Sequence, residues 1–254
     1  MILRRVTEHV KAQNWFAVAL DFVIVVVGVF IGIQVSNWND ARAQRAYERT
    51  FLSQLREEII GITAIVVDQK AYAEQVVEAG DRALAYLNGD ADCERDCEAL
   101  LIDFFHASQV WGTPYDYTKY QEAQRLGFPS NPETRRAVND FYEFTTGSLV
   151  NTTAPAYRER IRGHLTPAAA NVLWGACYEP IGGQIERLMR NCAEDLKPLG
   201  AAAMLQDIRA DAALKPALQF WIGQNVLALR INPTSTRNAD TAIVALTGDI
   251  GDIE

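Results

Sequence analysis

The stretch DFVIVVVGVFIGIQVSNWND, Asp21 to Asp40, constrains this chain more than any other. From Trp15 to Val35 the only clearly polar side chains are Asp21 and Gln34. A helix of that length covers about 31 Å, close to the roughly 30 Å hydrocarbon core of a bilayer. Trp15 and Trp38 bracket it, as aromatic side chains do at membrane interfaces. A cleaved export signal is the rival reading. Arg4, Arg5 and Lys11 would be its basic region, residues 22–33 its apolar region, and Ala41-Arg42-Ala43 its small-x-small site. That site lies far past the apolar block, and helical patterning runs straight through it. The expectation is therefore a transmembrane helix over 14–38, a short segment 1–13 before it, and one large domain over 39–254.

The charge rule for orientation is nearly tied, because Arg4, Arg5 and Lys11 precede the span while Arg42, Arg45 and Arg49 follow it. The cysteines help to decide. There are four: Cys93, Cys97, Cys177 and Cys192. An even count suits two disulfides in an exported domain, with three connectivities open. Proximity favours Cys93–Cys97 and Cys177–Cys192; free thiols and a metal site are the alternatives. Asp90, Asp92, Glu94 and Asp96 alternate as in a calcium loop, but Arg95 stands where glycine is needed and Leu101 where a bidentate glutamate is needed. Zinc would want paired ligands, and His9, His106 and His164 form no pair. Disulfides would place the large domain outside the cytoplasm and the N-terminus inside.

Beyond the span, the pattern is helical. No proline occurs from Asn39 to Leu87, and apolar residues fall at Tyr47, Phe51, Leu55, Ile59, Ile62, Val66, Ala73, Val76, Ala83 and Leu87. Steps of three, four and seven predict one long helix continuous with the membrane helix. Gly61 and Gly80 weaken it, and Asn88-Gly89-Asp90 ends it. A second helix covers CEALLIDFFHASQV, where His106 on an apolar face reads as a core side chain. Asp116 caps a short helix that stops at Gly127, and Asn131-Pro132-Glu133 starts another that carries Val138, Phe141, Tyr142 and Leu149. Pro155 kinks or divides it, and Thr166-Pro167 starts the next. Gly182-Gly183 suggests a turn. Helices near Pro198–Ala210 and Lys215–Ile231 follow, Asn232-Pro233 breaks the latter, and a short last helix begins near Asn238. No run of period-two strands stands out. The expected class is all-α, an extracytoplasmic bundle of six to eight helices behind a membrane helix.

The stretch DFVIVVVGVFIGIQVSNWNDARAQRAYERTFLSQLREEI resembles a family of uncharacterised bacterial single-pass membrane proteins. In that family the span begins with an acidic residue and ends in glutamine, followed by an asparagine-tryptophan-asparagine-acid signature and a long helix. Asp21, Gly28, Gln34, Asn37, Trp38, Asn39 and Asp40 carry the resemblance, with Asp21 where a glutamate is usual. YTKYQEAQRLGFPSNPETRRAVNDFYEF resembles the family's helix-turn-helix. The resemblance implies a membrane-anchored helical protein; with the orientation drawn from the cysteines, the expected place is the bacterial inner membrane, with a cytoplasmic N-terminus and a periplasmic domain. It brings no activity with it.

Chemistry is sparse. No phosphate loop, nucleophile elbow or His-Glu-x-x-His occurs. Glu57-Glu58 reads as a solvated helix face. Trp111, Tyr115, Tyr117 and Tyr120 either line a pocket or pack onto the bundle, packing being the commoner use of such a cluster. Asn151-Thr152-Thr153 is a formal glycosylation sequon that a bacterial origin would leave idle. The net charge of −8 and the lack of a basic run argue against nucleic acid as a partner. Neither a metal nor a cofactor is expected.

The remaining candidate is a helix face. At 100° per residue Gly28 and Gly32 lie about 20° to either side of Asp21, and Asn39 returns to its direction. Small residues let a second helix approach closely, and an intramembrane carboxylate usually faces protein or water. The stripe Asp21, Gly28, Gly32 and Asn39 is the expected helix–helix interface, with another membrane protein or a second copy of the chain. The alternative is that Asp21 reaches to the headgroups and the glycines are incidental. The expected function is a non-enzymatic membrane-anchored scaffold or accessory subunit, bounded by membrane lipid; the other reading is a periplasmic ligand sensor that passes its signal to another membrane protein.

Overall fold

Proline, glycine and short polar residues punctuate the chain, and most helices begin and end at them. The structure, a computed structural model, describes residues 15–93, 96–111, 115–147, 154–182 and 185–252; the side chains of residues 15–19, 21, 146, 147, 185 and 252 are not part of that description. Residues 1–13, the side chains of Trp15 and Asp21, Glu94, Arg95, Leu149, the Asn151-Thr152-Thr153 sequon and Gly183 therefore lie outside the described parts.

The described chain is predominantly helical. It divides into two units, Met1–Phe51 with Ile253–Glu254, and Leu52–Asp252. Helix α1, Trp15–Asn88, contributes residues to both. It ends where expected: Gly89 takes φ +84°, which glycine adopts without steric cost, and the Asp90 N–H donates to Ala85 O at 2.9 Å.

In the second unit α2 covers Cys97–Ala107 and α3 Thr118–Leu126. Asp116 Oδ1 accepts the Thr118 N–H at 2.9 Å, and Gly127 at φ +73° closes the other end of α3. Helix α4, Pro132–Gly147, starts on Asn131, whose Oδ1 accepts the Glu133 N–H at 3.0 Å. Pro155 stands before α5, Ala156–Gly163, and Thr166 caps α6, Pro167–Ala176. A 3₁₀ helix, Ala193–Leu199, leads into α7, Ala201–Ala210. The last helix, α8, runs Leu214–Asp252 and packs along α4.

Two expectations fail. Strands β1, Tyr178–Ile181, and β2, Ile185–Leu188, form an antiparallel hairpin in which Tyr178 pairs with Leu188 and Ile181 with Ile185. Four residues per strand, one of them Pro180, are too few for a period-two signal. The hairpin is closed from outside: the Met189 N–H donates to Cys177 O at 3.0 Å, and Cys177 stands at disulfide distance from Cys192. The second failure is Pro233, which lies inside α8 and does not break it. A proline costs about 3 kcal/mol in a helix interior. Here a buried face continues past it through Ser235, Ala239, Ala242 and Leu246, and that burial outweighs the local cost.

The main core of this unit gathers Ala79, Ala83 and Tyr86 of α1, Phe104 and Phe105 of α2, Tyr157 and Ile161 of α5, Leu173 of α6, Leu205 of α7, and Leu218 and Trp221 of α8. Each large apolar side chain buried this way stabilises by about 1.5–3 kcal/mol. Polar atoms in it are bonded to backbone: Tyr157 OH donates to Phe104 O at 3.0 Å, and Trp221 Nε1 to Ala107 O at 2.9 Å. One carboxylate is buried. Asp103 accepts two 2.9 Å bonds from Arg82 and one of 3.0 Å from Arg190. Burial raises its carboxyl pKa, while the two guanidiniums oppose that.

Candidate functional site

Two places in the chain merit consideration, one in each unit. In the first, the large apolar side chains from Leu20 to Val35 are all exposed, between 47% and 69%. This segment belongs to a helix long and apolar enough to cross a membrane, with a mean hydropathy of 1.7 over its most apolar window. Of the interface stripe, Gly28 and Gly32 have open space where a Cβ would stand, and Asn39 is exposed. The Arg42 guanidinium lies 5.9 Å from the Trp38 ring centre.

In the second unit a cleft of about 630 Å³, open mouth included, lies between α1, the segment after α2, and α8. That volume includes open solvent at the mouth and is not itself the enclosed volume of a small-molecule site. Val66, Gln69, Lys70, Tyr72 and Ala73 line it from α1, Trp111 and Tyr115 from the segment after α2, Thr145 from α4, and Asn225, Ala228, Leu229, Ile231, Asn232 and Ser235 from α8. The helical period explains the α1 contribution, since 66, 69, 70 and 73 share one face. Trp111 meets Tyr72 edge-on, with centroids 5.2 Å apart. Its Nε1 is buried and has no acceptor among the described residues. Tyr115 OH donates to Gln69 Oε1, and burial pushes its phenol up to about 12. Asn232 Nδ2 donates to Val66 O at 2.9 Å.

The aromatic group of the sequence is thus split. Trp111 and Tyr115 line the cleft, whereas Tyr120 stacks on Tyr142 at 4.0 Å and Tyr117 meets Tyr142 edge-on at 6.0 Å. Beside them Glu58 Oε1 accepts Tyr142 OH at 2.6 Å, and its carboxylate also takes the Lys119 N–H at 2.7 Å and the Tyr120 N–H at 3.2 Å. Glu58 is therefore a cap for α3 supplied from α1, which corrects the reading of a solvated acidic pair. Glu57 does stay exposed and meets Arg56 at 3.1 Å.

The other singled-out residues are structural. His106 is buried with Nε2 3.0 Å from Cys177 O, and burial lowers its pKa to about 4. As a neutral ring it donates that hydrogen bond. Cys93 and Cys97 stand at disulfide distance with Cα atoms 4.7 Å apart, and Cys177 and Cys192 likewise at 5.4 Å. Among the described residues no three His, Cys, Asp or Glu side chains gather as a metal site would require.

Gln69, Tyr72, Asn225, Asn232 and Ser235 escaped the sequence reading. They belong to helices more than 150 residues apart in sequence, and Asn232 read as part of a helix break. Compared with protein-family models, curated proteins and solved structures, the chain matches none.

Proposed function

We propose that this protein is a non-enzymatic, membrane-anchored helical scaffold or accessory subunit of a bacterial inner membrane. The observation that carries this reading is the exposure of every large apolar side chain from Leu20 to Val35. In water such a surface would be costly at about 25 cal/mol per Å², whereas lipid accepts it without penalty. Residues 14–38 then span the bilayer once. The two cysteine pairs at disulfide distance favour an oxidising compartment for residues from 39 onward, the periplasm, with residues 1–13 in the cytoplasm.

The partner-facing side of the span is the stripe Asp21, Gly28, Gly32 and Asn39, through which the helix meets another membrane protein or a second copy of itself. Crosslinking in native membranes tests this. Gly28→Ile with Gly32→Ile should reduce association, and Val27→Ile should leave it intact. Unchanged crosslinking in the double variant would reject the stripe.

The cleft favours a second reading, a periplasmic ligand-binding module that signals through another protein. Small-molecule binding that Trp111→Ala abolishes while the fold persists would support it. A library screen with no hit dependent on Trp111 would reject it.

A further inference from the structure

Among the described residues of the second unit, four arginines are half-buried: Arg56, Arg82, Arg158 and Arg162. Two of them have a carboxylate. Arg56 meets Glu57 at 3.1 Å, and Arg82 holds Asp103 at 2.9 Å. Arg158 and Arg162 have none within 4 Å among the described residues. They stand one turn apart on α5 and converge on neutral oxygens. Arg158 Nη1 donates to Ser108 O at 2.8 Å and to Gln109 Oε1 at 3.4 Å. Arg162 donates from Nη2 to Gln109 Oε1 at 3.2 Å and from Nε to Ser108 Oγ at 3.4 Å. Arg158 Nη2 and Arg162 Nη1 make no hydrogen bond to the described residues, so each fork has donors that no described residue takes.

An aromatic plate stands beside the pair. The Arg162 guanidinium lies 4.6 Å from the Trp174 ring centre and that of Arg158 5.9 Å. Phe105 and Tyr178 hold Trp174 edge-on at 5.2 and 5.0 Å, and Trp174 is still 38% exposed. The arrangement is costly for its own sake. Like charges one helical turn apart repel, and partial burial strengthens the repulsion. Burial first and Arg158 second bring Arg162 down to about 10. Burial lowers Arg158 as well, while Tyr72, Glu186 and Tyr178 oppose that.

We propose that Arg158, Arg162 and the open flank of Trp174 form a binding site for an oxyanion, a carboxylate or phosphate group on a small molecule. Two guanidinium forks match the paired oxygens of such groups, and the indole face supports whatever planar part adjoins them. The site shares no residue with the cleft lining, although Tyr72 of that lining interacts electrostatically with both guanidiniums, and it does not depend on the anchoring of the chain.

The test is thermal unfolding of the full detergent-solubilised chain in sodium phosphate, in sodium succinate, and in sodium chloride at matched ionic strength. Phosphate or succinate should raise the midpoint saturably over chloride. The rise should weaken at least about tenfold in apparent affinity in Arg158→Gln and in Arg162→Gln, a loss on the order of one decade in Kd. Arg230→Gln, an exposed cation elsewhere, should retain it. Arg162→Lys keeps the charge but loses the fork and the flat face, so it should lose the response and serves where the glutamine variant does not fold. A response to only one anion identifies the group. No saturable response to either anion at roughly 10 mM, or an equal response in the Arg162 variants, overturns the proposal. Variants that lower the midpoint by the same amount in all three salts would leave the pair a packing element only, and would also overturn it.

Discussion

Two stretches of α1 differ in what their apolar side chains touch. Between Leu52 and Tyr86 the buried apolar residues are Leu52, Leu55, Ile59, Ile62, Ile65, Val66, Tyr72, Ala73, Val76, Ala79, Ala83 and Tyr86, mostly at steps of three and four. Their opposite face carries Glu57, Glu74, Glu78 and other exposed polar residues. Between Phe22 and Val35 the apolar residues occupy every face and are exposed. Both stretches are helical and rich in aliphatic residues, so content alone does not separate them. Periodicity does. An apolar stripe asks for a protein neighbour on one side, and an apolar cylinder asks for an apolar solvent all round.

The largest expected effect comes from truncating one apolar side chain in each stretch. Leu55 is fully buried, so Leu55→Ala should destabilise the second unit by about 2–5 kcal/mol. Phe30 is 60% exposed, and Phe30→Ala should leave the unfolding of that unit unchanged. Denaturant titration in detergent measures both, and equal losses would erase the distinction.

A smaller effect, in pH, tests the core of the second unit that the amphipathic stretch packs into. His106 is held at about 4 when folded, below its ordinary value near 6.5. In that window the unfolded chain binds the proton that the folded chain refuses, so stability rises with pH between about 4 and 6.5 and is lost as pH falls. The slope approaches about 1.4 kcal/mol per pH unit. Thermal melts of wild type against His106→Gln should show the variant flatter in that window. Parallel profiles would assign the acid sensitivity to other groups.

The smallest effect tests packing by glycine. A Cβ at Gly80 would stand 2.4 Å from Ile222 Cδ1 and 2.6 Å from its Cγ1, while Gly61 has nothing within 4 Å. Gly80→Ala should cost roughly 1–2 kcal/mol despite its better helix propensity. Gly61→Ala should gain up to about 1 kcal/mol. Chemical unfolding reads the sign of each; a gain at Gly80 would mean α8 yields more easily than its packing implies.

Local chemistry was legible in the sequence. Gly89, Gly127, Asn131-Pro132 and Thr166-Pro167 place helix ends through short-range bonds and backbone freedom, and the cysteine pairs follow from closeness along the chain. What was not legible depends on distant residues. Asn232 bonds Val66 O across 166 positions, and α8 runs through Pro233 because its buried face continues. The hairpin has only four residues in each strand, and Cys177 and Cys192, far apart for a local pattern, stand together on its flanks. Of the cleft, Trp111 and Tyr115 could be named from composition, but Tyr72 and Asn225 join them only once α1 and α8 lie side by side.

The central claim is that the apolar cylinder of α1 is solvated by lipid. Ile24, Val25, Val26 and Val27 follow one another at about 100° and so sample the whole circumference. Spin labels placed singly at these positions in the liposome-reconstituted chain can be compared with one at Glu74, which is exposed on the amphipathic stretch. Collision with molecular oxygen reports the hydrocarbon, and collision with a water-soluble nickel chelate reports the aqueous phase. With lipid around the helix, none of the four should reach the chelate, most should collide freely with oxygen, and Glu74 should meet the chelate readily. Chelate accessibility at Ile24–Val27 equal to that at Glu74 would contradict it.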